Sequence, residues 1–206
     1  MGEVLFGLIM TLTFTLAAGI VIQEEGRTGA RDMLVAILGC NLAWGIIDGL
    51  LYVLGEVFER GRMRRIGRAV RQAATDEEAQ RLVADELDGM LQPMADDSAR
   101  RGLYVAIVEK VRRDPATANV VQLADVMGGL TACWLVFACS FPAVLPFLFI
   151  DDPRLALRVS NALLIGLLFV VGWRAARDTL ARPWLAGLTF MSVGVLLVVV
   201  AIALGG

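Results

Sequence analysis

Apolar residues fall along the chain in five long runs, roughly 4–22, 33–55, 126–150, 159–175 and 184–204. A membrane-spanning helix needs about 20 consecutive apolar residues, so all five are long enough to cross a bilayer. The first opens MGEVLFGLIM without the basic segment of a secretory signal, and it is read as a true span. Between the second and third runs the pattern turns polar over 56–125. The fold expected is therefore all-α: a polytopic membrane protein with five transmembrane helices and a small helical cytoplasmic insert between the second and third. Its parts are 1–55 (two spans), 56–125 (the insert) and 126–206 (three spans).

Helical periodicity also runs through the polar stretch. Residues 56–72 (EVFERGRMRRIGRAVRQ) read as a continuation of the second span, and the six arginines among them suit anionic headgroups. Thr75 with Glu78 three residues later is a capping box that starts a helix. Along it Leu82, Val83, Leu87, Met90, Leu91 and Met94 recur at helical spacing and predict one apolar face. Pro93 ends that helix; another starts near Asp96 or Asp97 and runs to Arg113, before a break at Pro115.

Composition agrees with a membrane location. Of 206 residues 57% are hydrophobic and 19% charged, against roughly 45–50% and 25% in soluble domains. There is no histidine, which removes imidazole ligands, proton shuttles and catalytic triads. Cys40, Cys133 and Cys139 all lie in apolar runs and do not form a disulfide framework. The 19 basic residues are distributed unevenly. Twelve lie between Arg60 and Arg113, and Arg174, Arg177 and Arg182 border the loop between the fourth and fifth runs. Only Arg27, Arg31, Arg154 and Arg158 fall on the other side, so the insert and the N-terminus are expected inside and the C-terminus outside.

An ionisable residue within a span costs about 2.5–3.5 kcal/mol on insertion scales and marks a functional position. Asp48 is such a residue, and Asn41, Asp48, Tyr52 and Glu56 share one side of the second helix. That stripe suits the lining of a cation path; a polar helix–helix contact is the other reading. Gly45 and Gly49 bracket Asp48 at a spacing that permits close helix approach. In the first run Gly7, Thr11, Thr15 and Gly19 form a ridge of small residues, with Met10 and Phe14 beside it. Pro142 and Pro146 are expected to bend the third helix. In the insert, the acidic residues Asp76, Glu77, Glu78, Asp85, Glu86, Asp88, Asp96 and Asp97, with Met90 and Met94 close by, could hold divalent cations or could be a solvated face balanced by arginines. No G-x-S-x-G, H-E-x-x-H or phosphate loop is present, so an enzyme is not expected, nor a nucleic-acid partner.

In the order of its motifs the chain resembles the vacuolar iron transporter family. EVLFG at 3–7 is similar to the family's opening E-[IV]-V-F-G, LGE at 54–56 to its G-E-Y element, and SFPAVLPFL at 140–148 to its proline-bearing third helix. Two departures stand out. Where the family has Asn-Asp-Gly in the first helix this chain has Ile9-Met10-Thr11, and Tyr52 stands where members tend to carry methionine. The carboxylate has thus moved to the second helix, as Asp48. The resemblance implies a homodimer in the inner membrane of a bacterium, its first two helices lining a path at the two-fold axis. It implies export of Fe²⁺ or Mn²⁺, as the transported ion and not a tightly bound cofactor, in exchange for protons. Within the insert it singles out Asp85, Glu86, Asp88, Met90 and Met94.

The mechanism expected has the insert concentrate the metal and Glu56 pass it to Asp48 and Met10, a charged and a soft ligand. Protonation of Asp48 or Glu56 from outside releases it. Two alternatives stay open: a non-transporting dimeric scaffold or regulator of the same fold, and a carrier of another small solute.

Overall fold

A computed structural model describes residues 2–17, 22, 26–113, 121–177 and 182–203. Every regular element among them is a helix: α1 (Gly2–Ala17), α2 (Arg27–Gln72), α3 (Asp76–Leu91), α4 (Asp97–Arg113), α5 (Leu123–Ala138), α6 (Phe141–Phe149), α7 (Pro153–Ala176) and α8 (Pro183–Ala203). Four stretches are long and apolar enough to cross a membrane: α2, α5 with α6, α7 and α8. Helix α1 is apolar but shorter, 16 residues; the rest of the first expected span, with Gly19, lies mostly outside the described residues.

The chain divides into two compact units, Met1–Tyr52 with Met127–Gly206, and Val53–Val126. In the first, one core joins Leu8, Leu12 and Leu16 of α1 to Cys139, Ala143, Leu164 and Leu168. Helices α7 and α8 interlock through aromatic rings set over glycines: Phe190 lies against Gly172, and Phe169 against Gly187. The third apolar run is interrupted at Cys139–Ser140. Pro142 has no amide to donate, so the break falls just ahead of it and the proline begins α6. Pro146 is accommodated inside α6. Helix α7 starts earlier than its apolar run, because Asp152 accepts from the Arg154 amide and Pro153 fits the first turn.

The second unit follows its local signals closely. Helix α2 continues unbroken through 56–72, as its periodicity predicts. Thr75 accepts from the Glu78 amide (3.2 Å) and the Glu78 carboxylate accepts from the Ala74 amide (2.9 Å), so the capping box forms with its return bond one residue early. Helix α3 stops at Leu91, two residues before Pro93, and α4 runs over Asp97–Arg113; Pro115 lies outside the described residues. Ala79 and Val83 of α3 meet Tyr104 and Val108 of α4 and Val70 of α2 in a small core. The apolar face of α3 is narrower than expected. Leu82, Leu87 and Leu91 join it, but Met90 and Met94 are 62% and 79% exposed: α3 ends before Met94, and Met90, although in phase with Val83, lies in the last turn outside the packed cluster.

Two predictions follow from the caps. Thr75→Ala removes the acceptor for one of the orphan amides of α3 and is expected to destabilise that helix by about 1 kcal/mol, read as faster hydrogen exchange at the Glu78 amide. At α4, Asp96 accepts from the Ala99 amide (2.8 Å) and the Ser98 hydroxyl (2.8 Å), bonds that hold its carboxyl below the ordinary 3.8. A lowered carboxyl pKa stabilises the folded form in full above the ordinary value and loses that effect as pH falls through the folded one. Acidification is therefore expected to fray the first turn of α4, seen as exchange at the Ala99 amide beyond its intrinsic pH dependence. In Asp96→Asn, which keeps an acceptor but cannot titrate, that extra exchange should vanish.

Candidate functional site

Three helices of the first unit meet around the polar residues of α2. Between α1 and α2 the register is antiparallel. Asn41 Nδ2 donates to Thr11 Oγ1 (2.7 Å), Phe6 stacks edge-on against Trp44 (5.6 Å between centroids), and Glu3 lies within electrostatic range of Asp48. Between α2 and α5 the register is also antiparallel. Asn41 Nδ2 lies 3.3 Å from the Val136 carbonyl oxygen, a Cβ on Gly45 would sit 2.7 Å from Cys133 O, and one on Gly49 would strike Gly129 O. The Tyr52 ring lies over Gly128. The glycine spacing thus does what it predicts, bringing two backbones into contact.

Asn41 is fully buried at the junction of α1, α2 and α5. The break at Cys139–Ser140 explains one of its bonds. Ser140 N donates to Phe137 O rather than to Val136 O, which keeps only a long bond from Cys139 N (3.3 Å), and the Asn41 amide adds a second donor to that carbonyl. Thr11 in turn donates to Gly7 O (2.7 Å), and Thr15 lies 2.6 Å from Asn161 Oδ1. Gly7 packs on Cys139, whose thiol reaches Val4 O (3.4 Å). The small-residue ridge of α1 is therefore a packing surface with hydroxyls that bond inward. Asn41 Oδ1 has no partner among the described residues.

Asp48 is half-buried, and its Oδ2 is enclosed without a hydrogen-bond partner among the described residues. Its acidic neighbour is Glu3, a residue that reading α2 alone does not reveal. The signal was present in the sequence, since Glu3 opens the EVLFG element. Met10 is not brought to Asp48. It precedes Thr11, the partner of Asn41, and so lies seven residues from Glu3, about 10 Å along α1.

The remaining expected residues belong to the second unit. Glu56 lies 3.6 Å from Arg60, which also binds Asp125. Asp125 is buried and accepts from the Gln122 amide (2.7 Å), so it opens α5 and holds Arg60 at once. Of the acidic candidates, Glu86 pairs with Arg62 (2.6 Å). Asp88 accepts from Arg100 (3.1 Å) and from the Tyr104 hydroxyl, a bond that pushes the phenol above its usual range. Asp85 is exposed, as are Met90 and Met94. The structure gives Glu86 and Asp88 arginine partners and does not gather the five into one cluster; among the described residues no group of three or more Cys, Asp or Glu could hold a metal ion.

No family model matches the chain, and no curated protein matches it.

Proposed function

We propose that this protein is a homodimeric membrane carrier that exports a divalent transition metal, Fe²⁺ or Mn²⁺, from the cytoplasm in exchange for protons. The observation that carries this reading is Asp48: a carboxylate inside an apolar helix, one oxygen enclosed without a hydrogen-bond partner among the described residues, with the Glu3 carboxylate close enough to act on it. The two carboxylates repel each other, and a cation or a proton at Asp48 relieves that repulsion. A divalent ion matches their combined charge, and protons compete for the same oxygens. That competition is the chemistry a proton-coupled carrier uses. In this reading Glu3 takes the place beside Asp48 first assigned to Met10.

The topology proposed has five crossings, with α1 the first, the Val53–Val126 unit on the cytoplasmic side, the N-terminus inside and the C-terminus outside in a bacterial inner membrane. The arginine distribution supports it. Dimerisation rests on the family resemblance and on the apolar side chains α2 leaves exposed, among them Ile46, Ile47, Leu50 and Leu51. A second copy would double the carboxylates available to the ion.

One observation favours a non-transporting scaffold of the same fold: among the described residues no carboxylate besides Glu3 acts on Asp48, and Asn41 is engaged in helix packing. Proteoliposomes separate the two readings. The carrier predicts Fe²⁺ or Mn²⁺ flux that rises with an imposed pH gradient; the scaffold predicts none for any divalent ion.

A further inference from the structure

Of the six arginines over 56–72, where α2 leaves its apolar stretch, four divide into two classes. Arg60 is held by Asp125 and Glu56, and Arg62 by Glu86. Arg64 and Arg65 make no ion pair among the described residues. The Arg64 guanidinium is the more telling of the two, because its Nη2 is enclosed and meets no acceptor among the described residues. A guanidinium nitrogen enclosed without an acceptor is a charged donor left unsatisfied, a cost that an anion bound at this side chain would offset. Both residues line an open recess of about 430 Å³ whose other walls include Val57, Phe58 and Gly61. Phe58 is 70% exposed, and the position of a Cβ on Gly61 has nothing within 4 Å, so the wall at Gly61 is open.

We infer that this recess binds the headgroup phosphate of an anionic phospholipid. Guanidinium groups recognise phosphate oxygens through paired, charge-assisted bonds. The apolar wall made by Val57 and Phe58 distinguishes a lipid from a free anion: it offers the glycerol and upper acyl chain a surface that inorganic phosphate cannot use. The site also lies directly after the hydrophobic part of α2, where a headgroup would be found. The inference rests on the membrane topology proposed above but not on transport, so loss of lipid binding and loss of metal flux are separate results.

The test uses the full chain in detergent, titrated with phosphatidylglycerol, phosphatidylcholine, inorganic phosphate or glycerol 3-phosphate while thermal unfolding is followed. Phosphatidylglycerol is expected to raise the unfolding temperature and the other three to leave it nearly unchanged. In Arg64→Gln with Arg65→Gln the apparent affinity for phosphatidylglycerol should fall roughly thirtyfold, while Arg68→Gln with Arg71→Gln should largely keep it. An equal response to phosphatidylcholine, a full response to inorganic phosphate, or an undiminished response in the first double variant would overturn the assignment. Should that variant not fold, native mass spectrometry of the wild type decides: phosphatidylglycerol retained in preference to phosphatidylcholine supports the site, and no preference overturns it.

Discussion

Asp48→Asn is expected to reduce gradient-driven Fe²⁺ or Mn²⁺ flux at least roughly a hundredfold, since even outer-shell partners of a metal are worth ten- to a hundredfold. The substitution keeps the shape of the side chain, exchanges one acceptor oxygen for an NH2 donor and removes the charge. It should therefore leave the α2–α5 contact intact, because that contact is made by Gly45 and Gly49. Thermal unfolding of the variant close to that of the wild type would establish this. Glu3→Gln should lower flux in the same direction, because Glu3 is the second charge at the site. Met10→Leu, a change about two turns away, should alter flux little. The order matters as much as the size. If Asp48→Asn transports normally, the carboxylate is a packing group and the scaffold reading replaces the carrier. If Met10→Leu is as damaging as Asp48→Asn, the ion takes a deeper route past Asn41.

Much of this architecture is legible in the sequence because its determinants are local. Thr75 and Glu78 lie within one helical turn of each other, as do Asp96 and Ala99, so the starts of α3 and α4 are written in four-residue windows. The Gly45–Gly49 spacing correctly announces a close helix contact. Periodicity, however, defines a face without saying what lies opposite it. The stripe of Asn41, Asp48 and Tyr52 reads as the wall of a path, yet Asn41 and Tyr52 contact α5 across the same seam as the glycines. The Glu3–Asp48 and Arg60–Asp125 pairings join residues far apart in the chain, and no local window contains them. Met90 and Met94 fit an extended apolar repeat, but α3 ends at Leu91 and its core requires only Ala79, Val83 and the leucines beside them. At Pro142 the sequence correctly signals a disturbance and misplaces it, since a proline unable to continue one helix serves as the start of the next.

The largest structural effect is expected at Gly49. A methyl group there would strike the carbonyl oxygen of Gly129, and one on Gly45 would come within 2.7 Å of Cys133 O. Both obstacles are backbone atoms within α5, so neither can rotate aside; the helices must separate. Gly49→Ala should therefore cost about 1–3 kcal/mol, the range for overpacking a close contact, and Gly49→Leu should abolish folding. The comparison that isolates this cause is Gly39→Ala on the same helix, where a Cβ has nothing within 4 Å. Alanine is the better helix former by about 1 kcal/mol, so Gly39→Ala should be neutral or stabilising. Gly128→Ala lies between the two. There the obstacle is the Tyr52 ring, which can swing away because the side chain is 41% exposed. Thermal unfolding in detergent should rank the three as Gly39→Ala above Gly128→Ala above Gly49→Ala. A Gly49→Ala protein as stable as Gly39→Ala would mean that α2 and α5 do not pack in this register. The placement of Asp48 at that seam would then fall with it.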